Sequence, residues 1–135
     1  MRIGDTAAAS LTVGAADSAR AIALTAQDDF PDVFATSRLV ALMEIAAARG
    51  MKPLLGPGQL SVGVGVDVKH LAATPLGVEV RAEATLVGIE GRMYRFAVRA
   101  FDSGGLVGEG WHTRAIVSTE RLVAGAAARV TIPPP

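Results

Sequence analysis

TSRLVALMEIAAARG, residues 36–50, is the stretch on which the fold turns. No Gly or Pro interrupts residues 36–49, Thr36 or Ser37 can cap the N-terminal end, and Gly50 follows the last turn. The segment therefore predicts a helix from about Thr36 to Arg49. It is apolar most of the way round, and such a helix must be wrapped by other elements. Arg38 and Arg49 fall on nearly one meridian, roughly 120° around the axis from Glu44, and mark the solvated edge. The helical neighbours of Glu44 are Val40, Ala41, Ala47 and Ala48, none of them charged. Two readings fit this residue: a carboxylate on a small-residue surface face, or one that takes a partner from elsewhere in the chain. The second matters because an unpaired carboxylate held away from water is costly.

Upstream, AQDDFPDVFA (residues 26–35) reads as a loop in which Pro31 keeps Phe30 out of helical conformation and Asp28, Asp29 and Asp32 supply turn chemistry. Phe34 reads as a core anchor and Phe30 as a cover over something. Before the loop, a first strand is expected near Ala19 to Thr25, and residues 1–17 read as a loosely ordered entry segment. Downstream, the turn-rich MKPLLGPGQL leads into period-2 patterning. From Leu60 to His70, the residues Val62, Val64, Val66, Val68 and His70 alternate with Ser61, Gly63, Gly65, Asp67 and Lys69. His70 ends the apolar face, either as a satisfied strand-end residue or as a group that titrates near neutrality. Further strands are expected over Val78 to Gly88, Met93 to Phe101 and Leu106 to about Val117. The last carries Gly108, Gly110, His112 and Arg114 on one face and Trp111 on the other. The tail, residues 123–135, is expected to be poorly ordered.

These elements predict one domain over residues 1–135 of the α+β class, with a strongly curved antiparallel sheet wrapped around one long central helix, the hotdog arrangement. Edge strands left over favour pairing with a second copy. The 135 residues suffice for one core. Lys plus Arg equals Asp plus Glu at 13 each, so no basic surplus draws the chain to nucleic acid or to an anionic membrane. No apolar run is long enough for a membrane span, and the N-terminal MRIGDTAAAS lacks the apolar core of a signal peptide, so a cytoplasmic protein is expected.

The absence of cysteine excludes disulfides, thiolate metal sites and a cysteine nucleophile. Two histidines make the usual zinc sites improbable, Gly-x-Ser-x-Gly is absent, and the glycines of GPGQLS, SVGVG and GGLVGEG fit neither dinucleotide nor P-loop spacing. No metal and no cofactor is expected, and those glycines read as turns and bulges. What remains is Glu44, His70 and the hydroxyl of Thr36, a set able to hydrolyse an acyl group through a carboxylate nucleophile or base, a proton-carrying imidazole and an orienting hydroxyl. Thr36 and Glu44 lie about 12 Å apart along a helix axis. Thr36 serves either as the helix cap or as a member of the set.

At FPDVFAT (residues 30–36), LMEIA around Glu44, SVG at Ser61–Gly63, HLAATPLG at His70–Gly77, VGIEGR before Met93 and GEGWHTRAIV at Gly108–Val117, the sequence resembles the fluoroacetyl-CoA thioesterase family of hotdog proteins. The resemblance implies a thioesterase for a small acyl-CoA, with Thr36, Glu44 and His70 catalytic. It implies that Phe30 and Val33 border the acyl pocket, with Phe30 in a lid, that Gly63 offers a backbone N–H to the oxyanion, and that Arg114 orders the site or binds substrate. A homodimer or higher oligomer is implied as well. The sequence departs from the fluoroacetyl-specific pattern at Gln27, where those relatives carry a second lid aromatic. Two rival functions fit the same pocket: an acyl-CoA-binding or sensing protein without chemistry, and a hotdog hydratase.

Overall fold

The computed structural model describes residues 1–130. Its elements are β1 (Thr6–Thr12), α1 (Thr36–Met51), β2 (Gln59–His70), β3 (Glu79–Glu90), β4 (Met93–Asp102), β5 (Gly105–Ser118) and α2 (Thr119–Arg129), with short 3₁₀ turns at Ala15–Asp17, Ala19–Ile22 and Lys52–Leu54. All strand pairings are antiparallel, in the order β1-β3-β4-β5-β2, and α1 packs on the concave side. The expected single curved sheet around one long helix is what forms.

α1 buries Leu39, Leu42, Met43, Ala46, Ala47 and Met51. They meet Val80, Ala82, Ala84 and Leu86 of β3 and Phe96 and Val98 of β4 in one core. The small residues Ala9, Ala82 and Ala84 let helix and sheet approach closely, and each is almost fully buried. As expected, Phe34 is a core anchor, at 1% exposure, while Phe30 stands out at 42%.

Three expectations fail at the ends of the chain. Residues 1–17, read as a loosely ordered entry segment, hold the first strand, Thr6–Thr12, paired along its length with β3, and the region expected as a strand near Ala19 is a 3₁₀ turn. Ser18 explains the turn: its Oγ accepts the Arg20 N–H at 3.2 Å and donates to Asp32 Oδ1 at 2.7 Å, offering the backbone a local alternative to a ladder. TAAASLT shows little strand propensity, yet its alanines fit the space beside α1, so packing decides. At the other end, residues 123–129 belong to α2, started by Ser118, whose side chain accepts the Arg121 N–H at 3.3 Å. Residues 131–135 of the expected tail lie outside the described residues.

The correction that shapes the site is in β2. Its register against β5 slips between Gly63 and Gly65, leaving Val64 unpaired in a β-bulge. Simple alternation put Ser61 and Gly63 on the face opposite His70. The bulge turns them onto the same, helix-facing side as Val66, Val68 and His70, opposite Ile116 and Arg114.

Candidate active site

Two polar clusters sit along α1, one at its N-terminal end and one at its middle. At the N-terminal end, Thr36 is the first residue of the helix; the cap position is Ala35, which makes no side-chain bond. The Thr36 hydroxyl is instead 2.8 Å from His70 Nδ1, so its role as a cap is set aside. Burial holds His70 below the ordinary histidine pKa, with the Ala72 backbone opposing. Its Nε2 is buried and makes no hydrogen bond among the described residues. An unsatisfied buried ring nitrogen is uncommon and needs a reason. A depression of about 270 Å³ lies beside the pair, lined by Val33, Phe34, Thr36, His70 and Ala72 among others. Phe30, on the loop before it, is half-exposed.

Two turns further along, Glu44 has the distant partner that its uncharged surroundings called for. Arg114 Nη1 donates to Glu44 Oε1 at 3.2 Å. The same guanidinium donates from Nε to Ser61 Oγ at 3.0 Å and from Nη2 to the Ser61 carbonyl at 2.9 Å. His112 completes the cluster, with Nε2 3.1 Å from Arg114 Nη1 and 3.9 Å from Glu44 Oε1, and Nδ1 2.8 Å from the Gly65 carbonyl. Arg114 and His112 are buried, while the Glu44 side chain keeps 39% of its exposure. Gly63 lies so close to Glu44 Oε1 that a Cβ there would displace the carboxylate, which explains a glycine in mid-strand.

The structure thus brings Thr36 to His70, and Glu44 to Gly63 and Arg114. Among the described residues no hydrogen bond or ion pair joins Glu44 to Thr36 or His70 within one chain. Ser61 and His112 received no role from the sequence. His112 was legible as sharing a strand face with Arg114, two residues on, but its partner Gly65 is set by the bulge.

A curled antiparallel sheet around one long helix, with a carboxylate on that helix and imidazoles on the strands packed against it, is the hotdog arrangement, and the relatives that share it make this a thioester hydrolase. The fluoroacetyl-CoA-specific thioesterase family profile matches residues 13–120, and the chain belongs to that family. A fluoroacetyl-CoA thioesterase from Streptantibioticus cattleyicolor is 44% identical over 94 residues, 70% of this chain and 68% of the relative. A solved structure of the fluoroacetyl-CoA thioesterase FlK superposes with a TM-score of 0.92 at 35% identity, covering 97% of this chain and 98% of that one. A thioesterase superfamily member from Thermus thermophilus reaches 0.85 at 25% identity, over 95% and 92%.

Proposed function

We propose that the chain hydrolyses small acyl-CoA thioesters with Thr36, Glu44 and His70 as its catalytic set, assembled between two copies of the chain. The carrying observation is the split of that set: Thr36 and a buried, unpartnered His70 Nε2 at the N-terminal end of α1, and Glu44 beside Gly63 two turns on, at mid-helix. β2 is an edge strand, and Val66, on the helix-facing side, is 48% exposed. Such an edge invites a second copy. The midpoint between Thr36 and Glu44 is Val40, and that between Gly63 and His70 falls at Val66 and Asp67. A two-fold axis past these points sets Glu44 and Gly63 of one copy towards Thr36 and His70 of the other.

In this arrangement Glu44 attacks the thioester carbon or takes a proton from the water that does. A C–O bond forms and the carbonyl electron pair moves onto oxygen, where the Gly63 N–H meets it. The pair returns as the C–S bond breaks; where Glu44 is the base, the proton it took from water passes to His70, oriented by Thr36, and from there to the leaving CoA thiolate. If Glu44 is the nucleophile, the thiolate leaves first, and water then attacks the mixed anhydride, giving its proton through His70 to the thiolate as the Glu44 carboxylate departs. Val33 lines the depression beside His70, whose size suits a small acyl group, and Phe30 covers its approach. The exposed polar Gln27 wets that lid, which favours unfluorinated short acyl groups. Relatives support the substrate class: one FlK variant structure is a complex with fluoroacetate and CoA.

Thiol release from a panel of short acyl-CoA thioesters tests the reading. Glu44→Ala abolishes release while far-UV circular dichroism stays unchanged. Release at the wild-type rate by that variant overturns the assignment, as does a wild-type protein whose melting temperature rises with acyl-CoA while no member of the panel yields thiol.

A further inference from the structure

The polar cluster at Glu44 contains a buried imidazole that neither catalysis nor substrate contact accounts for. His112 is 2% exposed, on β5 between Val66 of β2 and Phe96 of β4. Its hydrogen-bonding state follows from its neighbours. The Gly65 carbonyl 2.8 Å from Nδ1 can only accept, so Nδ1 carries the proton and donates to it. Arg114 Nη1, 3.1 Å from Nε2, can only donate, so Nε2 presents its lone pair. The ring is neutral, in one tautomer, with both nitrogens satisfied.

The consequence falls on Arg114. A guanidinium next to a carboxylate prefers a two-pronged grip on both oxygens. Here Ser61 takes the Nε hydrogen and one Nη2 hydrogen, and His112 and Glu44 Oε1 take the two Nη1 hydrogens, so one Nη2 hydrogen has no acceptor among the described residues and could complete such a grip once His112 released Nη1. Among the described residues Oε2 accepts no hydrogen bond, and 39% of the Glu44 side chain stays open. The arrangement gives the carboxylate a fixed orientation without occupying both of its oxygens.

We infer that His112 is a positioning residue for this reaction: by accepting from Arg114 Nη1 it keeps the guanidinium from closing on both oxygens of Glu44 and so leaves Oε2 to react. The inference rests on Glu44 as the reacting carboxylate. It extends the set to a residue that touches no substrate and acts only through Arg114.

Three substitutions separate this role from packing. His112→Phe keeps the volume and removes both polar contacts. His112→Asn keeps a donor for Gly65 but cannot reach Arg114, and His112→Gln carries an acceptor out to the position of Nε2. With short-chain acyl-CoA as substrate, Asn and Phe lower kcat roughly 10- to 100-fold with KM changed less than about twofold, the scale of loss when a reacting group is misplaced. Gln recovers at least part of kcat. In an Arg114→Lys background, whose amine cannot bridge Ser61, His112 and Glu44, His112→Asn lowers kcat less than about twofold further. Wild-type kcat in His112→Asn overturns the inference, and so does the same fold loss in both backgrounds, which marks a packing role. Melting temperatures identify any variant that fails to fold, and Gln with Asn then suffice for the comparison. Glu44→Gln is the control: if it retains turnover, the thioesterase assignment fails; if it is inactive while the His112 variants are unimpaired, only the positioning role does.

Discussion

His70 and His112 are the two histidines of the chain, and the fold holds both below the ordinary value of 6.5. For each, burial is the first cause. At His112 the Gly65 carbonyl opposes it, Arg114 adds to it, and Glu44 pulls back. The unfolded chain therefore binds protons that the folded chain refuses. Their contribution to stability is fully present above 6.5 and is lost as pH falls through the folded values beneath it. The charged groups facing His112 are Arg114 on its own strand and Glu44 from α1, while β2 presents the Gly65 carbonyl and the uncharged Val66. Melting temperature measured between about pH 7.5 and 5 falls on acidification, and the fall is shallower in His112→Phe. An equal slope in the two proteins contradicts the account. At this scale the sequence was readable where one residue was chemically isolated. Glu44 among alanines and His70 at the end of a valine ladder both stood out. Ser61 and His112 did not, because their roles depend on a register slip at Gly63/Gly65 that side-chain alternation does not encode.

Among the elements, β2 carries the most information. Its inner face continues the helix-side cluster, yet Val66, opposite the buried His112, stays half-exposed at the sheet edge. Val66→Lys places a charge where a second copy would cover an apolar side chain. The variant remains folded by circular dichroism, sediments as a monomer and loses thiol release. A dimer of wild-type activity would show that β2 is not the joint. α1 and β2 to β5 were legible because their periods, 3.6 for the helix and 2 for the strands, persist over long stretches despite the bulges in the sheet. β1 was not, since Thr6–Thr12 is chosen by its fit beside α1 and β3 rather than by propensity. α2 was obscured by an alanine-rich composition that reads equally as tail, although Ser118 and Glu120 supplied its starting signals.

At the scale of the whole molecule, the question is how the proposed set, divided between the N-terminal end and the middle of one helix, would become a single reacting centre. Thr36 and Glu44 are separated by about 12 Å along α1, more than side chains on a rigid helix can close. The proposed symmetric dimer would resolve this, because an isologous interface sets each half against its complement twice. Subunit exchange makes the arrangement testable. Glu44→Ala and His70→Ala homodimers are each inactive. When they are mixed and allowed to exchange, a heterodimer pairs the intact Glu44 of one copy with the intact His70 of the other in one of its two sites. Thiol release then returns to roughly a quarter of the wild-type level, since random exchange makes half the dimers mixed and each has one working site. If both groups act within one chain, each copy in the mixture still lacks one of them. No activity returns, however complete the exchange, and the trans arrangement is refuted.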